Sequence, residues 1–355
     1  MTLADFGYNE TVDTHVAEKN AEGFQIGRIV SEQKERYSVF TAKGEFEAEI
    51  TGAMRFSARG REDFPATGDW VLLTLYDNDF AIIHAILPRY SLIKRRAIDQ
   101  HGEIQVIAAN IDYAIIVQAA DRDFNLNRIE RYLTICNDSG IQSIIVITKI
   151  DLYEESKIEE IRRGILGRVK NTPVIFLSNE TLSGLDVLKE SILKGKTYCL
   201  LGSSGVGKSS IINNLSEKEV MKTGEISSLT NKGRHVTSYR ELVVLENGGI
   251  LIDNPGMREV GIADNESGLE KTFDTIAELS DACRFSDCTH TLEAGCAVLD
   301  AVRTGGLDRK IYDNYLKMEK EREFFASTKA ESHRKDKDFG KMLKNYQKDK
   351  KLNKF

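Results

Sequence analysis

The sequence predicts a multidomain α/β protein: a five-stranded β-barrel first, a mostly parallel sheet with flanking helices next, and a small helical domain last. Three observations predict it. Between residues 25 and 96, short segments alternate apolar and polar residues and are separated by turn signals. Beyond residue 105, continuous apolar runs alternate with stretches of helical periodicity. Near the C-terminus, three of the five cysteines crowd with a histidine into residues 283–296. A chain of 355 residues is also too long for one small core, which agrees with two or three domains. The expected boundaries are 1–104, 105–265 and 266–355.

The first domain is read from candidate strands at 25–31, 37–42, 45–51, 70–76 and 80–87, with turns at Lys43-Gly44, at Gly60 and at Asp77-Asn78. Five strands in so short a stretch fit a small closed barrel of the oligonucleotide-binding type. Before its Trp70 lies MRFSARGREDFPATGDW, rich in Arg and Gly with two Phe. A basic, aromatic-bearing loop on such a barrel is a candidate RNA contact. A long surface loop is the alternative.

In the second domain, IDYAIIVQA at 111–119 is a strand buried on both faces. A helix follows, with Leu126, Ile129, Tyr132, Leu133 and Cys136 on one side. SIIVIT at 143–148, a charged amphipathic helix at 154–168 and a strand at 173–177 complete the pattern. A parallel sheet of this kind places ligands at the carboxyl ends of its strands. The strongest local signal is GSSGVGKSS at 202–210, between the apolar YCLL and the helical SIINNL. It matches G-x-x-x-x-G-K-[ST], the phosphate-binding loop. Gly205 and Gly207 let backbone N–H groups face an anion, and the following helix adds positive potential. Lys208 can reach the outer phosphates, and the Ser209 hydroxyl can ligate Mg²⁺. A nucleoside triphosphate with Mg²⁺ is therefore the expected ligand.

The other strand ends say which nucleotide. Thr148-Lys149-Ile150-Asp151 resembles the guanine-specificity motif of GTPases, Asn-Lys-x-Asp, whose carboxylate accepts hydrogen bonds from N1–H and the exocyclic amine. Thr148 stands where that motif has Asn. Ser178-Asn179 resembles the second base-contacting loop. Further on, Lys232-Gly233-Arg234-His235-Val236-Thr237-Ser238 offers Thr237 to Mg²⁺ and the γ-phosphate. A strand then delivers Asp253-Asn254-Pro255-Gly256-Met257, an Asp-x-x-Gly switch in which Asp253 serves the metal and Gly256 N–H faces the γ-phosphate. The candidate nucleotide contacts are thus Thr148, Lys149, Asp151, Ser178, Asn179, Gly202, Ser203, Ser204, Gly205, Val206, Gly207, Lys208, Ser209, Ser210, Asp253 and Gly256. Ser209, Thr237 and Asp253 are the candidate magnesium ligands. Because the guanine motifs precede the phosphate loop, the domain is circularly permuted, as a compact domain with close termini tolerates. The switch then leads almost directly into the C-terminal region, a route by which nucleotide state could reach it.

GDW at 68–70, TKID, GSSGVGKSS, GRHVTS at 233–238, DNPGMRE at 253–259 and the cysteine cluster together make the chain similar to the small-ribosomal-subunit biogenesis GTPases, the RsgA/YjeQ family, across nearly its whole length. The resemblance implies an oligonucleotide-binding barrel, a permuted GTPase and a zinc domain. It also implies GTP hydrolysis stimulated by the small ribosomal subunit, rRNA contact and a role in late maturation. The chain departs from the family's His-Thr-Thr-Thr at His235-Val236-Thr237-Ser238, and from Asp-Thr-Pro-Gly at Asp253-Asn254-Pro255-Gly256. Met257 occupies the place of the glutamine that orients water in Ras-like enzymes, and a thioether cannot do so. Slow intrinsic hydrolysis is expected, with His235, Lys208 and Thr237 as the catalytic candidates.

Cys283-x₄-Cys288-x-His290-x₅-Cys296 supplies the Cys₃His set of a closed structural zinc site. Such a metal would nucleate a domain too small to bury much core alone. Asp281 and Asp287 are expected in solvent, and Cys136 and Cys199 in the core. Tyr312, Tyr315, Leu316 and Met318 mark one packed helix face. Net charge is −6, yet residues 329–355 carry ten Lys/Arg against four Asp/Glu, which suits RNA or a solvated helix end. Nothing approaches the roughly 20 apolar residues of a membrane span. The polar N-terminus is no secretory signal, and an odd cysteine count favours a reducing, cytoplasmic location. A monomeric GTP hydrolase acting as a small-subunit assembly checkpoint is the resulting expectation; the alternative is a GTP-dependent switch for a protein partner away from the ribosome.

Overall fold

The computed structural model describes residues 1–326 other than 20, 34, 77–78, 97–103, 122–123, 217–239 and 254–266. A 3₁₀ turn, Leu3–Phe6, precedes helix α1 (Glu10–Glu18), which starts where the Asn9 side chain accepts the Thr11 and Val12 N–H groups. The barrel strands follow as β1 (Gln25–Gln33), β2 (Arg36–Thr41) and β3 (Gly44–Ile50). A short helix, α2 (Gly52–Ser57), leads on to β4 (Trp70–Leu75) and β5 (Phe80–Ile86). All five strands lie where alternation predicts them. Strand β1 pairs with both β2 and β4, β3 runs parallel to β5, and β5 returns to β4, so the sheet closes on itself. Inside it, Ile29, Val39, Val71, Leu73, Ala81 and Ile83 are fully buried. The Arg-rich segment before Trp70 is partly helical rather than a plain loop, and its Phe56 on α2 is exposed.

An antiparallel hairpin that the sequence pattern does not show comes next: β6 (Leu92–Arg96) with β7 (Ile104–Ala109). It straddles the boundary expected at 104/105. The central domain then alternates β8 (Tyr113–Ala119), α3 (Leu126–Asp138), β9 (Gln142–Thr148), α4 (Glu155–Leu166), β10 (Val174–Phe176), α5 (Leu185–Ser191), β11 (Thr197–Leu201) and α6 (Lys208–Ser216). Strands β12 (Arg240–Val244) and β13 (Ile250–Asp253) finish the sheet, whose order is β10-β9-β8-β11-β13-β12. Only the edge strand β12 is antiparallel, and its free side pairs with β1 of the barrel at Ser31↔Glu241 and Glu32↔Arg240. The inner strands read as unbroken apolar runs because helices cover both faces.

A single apolar core joins the barrel to this sheet. Phe6, Val12, Trp70 and Leu72 pack in it with Ile93, Ile107, Ile116 and Ile145. At its centre Arg28 is buried, over the Trp70 ring at 5.3 Å. Its guanidinium donates to Gly68 O (3.3 Å), Asn110 O (3.2 Å), Thr197 Oγ1 (2.9 Å) and Phe6 O. The GDW segment is shaped for this place. Gly68 has φ +92°, and a Cβ on it would lie 2.3 Å from Ala109 O. Asp69 is held by both arms of Arg89, at 2.8 and 2.6 Å.

The C-terminal helices are α7 (Ser267–Thr272), α8 (Asp274–Ser280), α9 (Ala297–Thr304) and α10 (Arg309–Ala326). They enclose a separate core of Leu269, Phe273, Ile276, Val298, Leu307, Tyr312 and Met318, with Tyr315 and Leu316 half-buried beside it. The packed face expected on α10 is present. No helix among the described residues is long and apolar enough to cross a membrane.

Candidate functional site

Strand register gathers the predicted motifs at one edge. Strand β11 lies between β8 and β13, paired as Leu201↔Ile116 and Cys199↔Ile252, and β9 joins β8 at Ala119↔Thr148. Residues 148–151, 178–179, 202–210 and 253 therefore all emerge at the carboxyl ends of neighbouring strands. Residues His235, Thr237, Gly256 and Met257 lie outside the described residues.

The loop from Gly202 to Gly207 is built on glycine geometry. Gly202 has φ +153°, and a Cβ there would meet Val117 O at 2.3 Å. Gly207 has φ +95°, with Asn179 Nδ2 at 2.6 Å from the same hypothetical atom. Side chains at either place would push the loop off its neighbours. Lys208 opens α6 and is buried, its ammonium donating to Gly202 O (2.9 Å) and Ser203 O (2.7 Å). Burial pulls its pKa down to about 8, and the attraction of Asp253 opposes that. Ser204 Oγ is buried without a hydrogen-bond partner among the described residues. Ser209 and Ser210, half-buried, stand in the first turn of α6. A buried cation, an orphan hydroxyl and a helix N-terminus converge here, the donor set that a polyphosphate satisfies. Asp253, buried at the end of β13, and the Ser209 hydroxyl supply oxygen donors suited to Mg²⁺.

Beside the loop, Thr148 is fully buried and its hydroxyl donates to Val206 O at 2.6 Å. Lys149 takes φ +60° and turns the chain into the 3₁₀ segment Ile150–Leu152, leaving Asp151 exposed. Its ammonium meets Asp121 Oδ2 at 3.1 Å. The Ser178 hydroxyl accepts the N–H groups of Glu180 and Thr181, at 3.3 and 3.1 Å, and so shapes its own turn. Asn179 donates to Gly207 O at 3.3 Å, and Asn214 on α6 donates to Asn179 O and Oδ1 at 3.1 and 3.2 Å. Sequence reasoning missed Asp121 and Asn214. A carboxylate two residues after the buried run IDYAIIVQA was a usable signal for Asp121; nothing local marks Asn214.

The second constellation is 283–296. The ligand atoms of Cys283, Cys288, His290 and Cys296 all lie within 4.8 Å of one another. Cys283 Sγ and Cys296 Sγ are 3.9 Å apart and lie 3.6 and 3.5 Å from His290 Nδ1. A tetrahedral ion with Zn–S of about 2.3 Å needs edges of roughly 3.8 Å, so the set fits a zinc ion. His290 Nε2 pairs with Ser280 Oγ at 3.0 Å, which turns Nδ1 toward the sulfurs. His290 itself has φ +58°, and Tyr312 OH donates to its carbonyl at 2.7 Å, tying the loop to α10. Asp281 and Asp287 are exposed, and Cys136 and Cys199 are fully buried, as expected.

Fold and strand-end geometry define a circularly permuted phosphate-loop GTPase joined to a five-stranded barrel and a Cys₃His domain. Comparison agrees. The family model described as "RsgA GTPase" matches residues 86–263, and one described as "50S ribosome-binding GTPase" matches 197–343. "Small ribosomal subunit biogenesis GTPase RsgA 1" of Bacteroides thetaiotaomicron is 38% identical over 98% of this chain and 97% of that protein. The protein of the same description from Listeria innocua is 40% identical over 92% and 91%. The crystal structure of YjeQ from Thermotoga maritima superposes with TM-score 0.62 at 27% identity, covering 84% of this chain and 98% of that one. That of YloQ, "a circularly permuted GTPase", shares the fold at TM-score 0.58 and 24% identity, covering 85% and 96%. The chain belongs to the RsgA GTPase family and is a GTP hydrolase.

Proposed function

We propose that this GTPase acts as a late-stage assembly and checkpoint factor of the small ribosomal subunit, binding its rRNA and hydrolysing GTP when the subunit stimulates it. The observation that carries the reading is the convergence of both guanine motifs, the phosphate loop and Asp253 at one sheet edge. The names of the Bacteroides and Listeria relatives support the ribosomal part.

In this reading the Gly202–Ser210 backbone cradles the phosphates, and Lys208 meets the outer ones. That would restore the full charge which burial disfavours. Ser209, Asp253 and Thr237 hold Mg²⁺, which neutralises charge developing on the phosphates. Asp151 accepts two guanine hydrogen bonds, Lys149 covers the ring, and Asp121 steadies the Lys149 ammonium. Ser178 and Asn179 present backbone to the base. His235 assists the attacking water and Gly256 N–H faces the γ-phosphate. A zinc ion held by Cys283, Cys288, His290 and Cys296 organises residues 267–326, and the basic segment 329–355 and the exposed Phe56 with Arg55 face RNA. The protein works as a cytoplasmic monomer, with domains at 1–104, 105–265 and 266–355.

Two measurements test this. Asp151→Asn is expected to cut the preference for GDP over ADP by about tenfold to a hundredfold, since hydrogen bonds to a charged group are each worth about 1.5–3 kcal/mol. An unaltered preference would remove Asp151 from the base site. In co-sedimentation, a GTP analogue should hold the protein on small subunits, GDP should release it, and binding should weaken steeply with salt. Equal binding with either nucleotide would contradict the checkpoint role.

A further inference from the structure

The guanine motif of this chain has Thr148 where a carboxamide is usual, and the geometry shows where a carboxamide reappears. Asn179, in the neighbouring loop, aims its side chain not toward the base side but at Gly207 O, 3.3 Å away. Asn214 donates to Asn179 Oδ1 at 3.2 Å, so the NH₂ end is the one left facing Gly207. That carbonyl already accepts the Ile211 N–H of the first helical turn at 2.9 Å, and Asn179 takes its second lone pair. One residue earlier, Thr148 holds Val206 O at 2.6 Å.

A trans peptide sets its C=O and N–H in opposite directions. The Val206 and Gly207 carbonyls share peptides with the Gly207 and Lys208 N–H groups. Fastening both carbonyls on the side of the guanine motifs therefore turns both N–H groups away from it, toward the phosphate cradle. The same two bonds set the spacing between base-reading loops and phosphate loop. The approach at Gly207 is close: a Cβ there would lie 2.6 Å from Asn179 Nδ2.

We propose that Asn179 is a positioning residue: together with Thr148 it clamps the phosphate loop to the guanine loops and replaces the carboxamide missing at position 148. The proposal rests on the guanine-site reading above. Asn179 then acts on the cradle rather than on the base, and the two roles separate experimentally.

The test measures the affinities of GDP, ADP and inosine diphosphate, which lacks the exocyclic amine, for the full chain, for Asn179→Ala and for Thr148→Asn/Asn179→Ala. Melting temperatures are recorded beside them. Preference of the unaltered protein for GDP over ADP checks the guanine site itself; without it, that reading fails rather than the clamp. With it, Asn179→Ala is expected to weaken GDP and inosine diphosphate by the same factor, about threefold to tenfold for one hydrogen bond. The double variant, which gives up the Thr148 bond to Val206 O but returns a carboxamide beside the loop, should recover part of that loss. Unchanged affinity, a shifted ratio between the two nucleotides, or no recovery overturns the clamp.

Discussion

The GTPase sheet is joined to a different domain on each side, and the two junctions are built on opposite principles. On the barrel side, backbone pairing between β1 and β12 continues across the junction, one apolar core spans it, and buried Arg28 satisfies acceptors from four separate segments. On the C-terminal side the cores are separate. There, α7 touches α3 closely at Gly268, where a Cβ would lie 2.5 Å from Thr134 O. Polar contacts also cross it: Arg131 grips Glu321 at 2.7 and 2.6 Å, Asn314 reaches Glu130 at 2.5 Å, and Lys170 meets Asp274 at 3.2 Å. A shared core makes barrel and sheet one cooperative unit, whereas separate cores bridged by ion pairs and hydrogen bonds resemble a junction between domains that move. The unit that carries the Cys₃His cluster is thus the one less firmly joined to the sheet, and it follows Asp253 in the chain.

Removing the metal should sharpen this contrast most. Structural zinc contributes on the order of 10–16 kcal/mol in small domains. A chelator is expected to abolish amide protection in α7 to α10 while strands β1–β5 and β8–β11 keep theirs; a joint loss would mean that the C-terminal unit is not separable. Arg28→Ala comes next. It takes the guanidinium from Phe6 O and Thr197 Oγ1, while Gly68 O keeps Asn110 Nδ2 and Asn110 O keeps Tyr90 OH, and it empties a buried site at the junction, at about 1–3 kcal/mol for a buried group left unmatched, so barrel and sheet should lose protection together. Loosening of the barrel alone would break the claim of one unit. Gly268→Ala should cost about 1–3 kcal/mol through overpacking, read as faster exchange in α7 to α10 with the barrel unaffected. Arg131→Ala, whose ion pair is partly exposed, should change stability by less than about 1 kcal/mol, and that difference should fade at high salt.

The parts legible in the sequence were those whose signal is local. The barrel strands alternate, the buried strands run apolar, and GSSGVGKSS and the cysteine spacing carry their chemistry within a few residues. What escaped depends on partners far along the chain. Leu92–Arg96 lacks alternation and becomes a strand only by pairing with Ile104–Ala109. Nothing near Arg28 in the sequence marks it as buried, yet its face is covered by the junction. The contacts of Asp121 with Lys149 and of Asn214 with Asn179 exist because strand order brings those ends together, which no motif announces. The motifs were legible; the joints were not.

The central claim, a GTPase that the small ribosomal subunit stimulates, is tested most directly by GTP turnover. It should be measured for the protein alone, with purified small subunits and with large subunits, at one salt concentration. Slow turnover alone, strong acceleration by small subunits and none by large ones is the predicted result. Equal rates in all three would contradict the ribosomal role while leaving the guanine-nucleotide site in place.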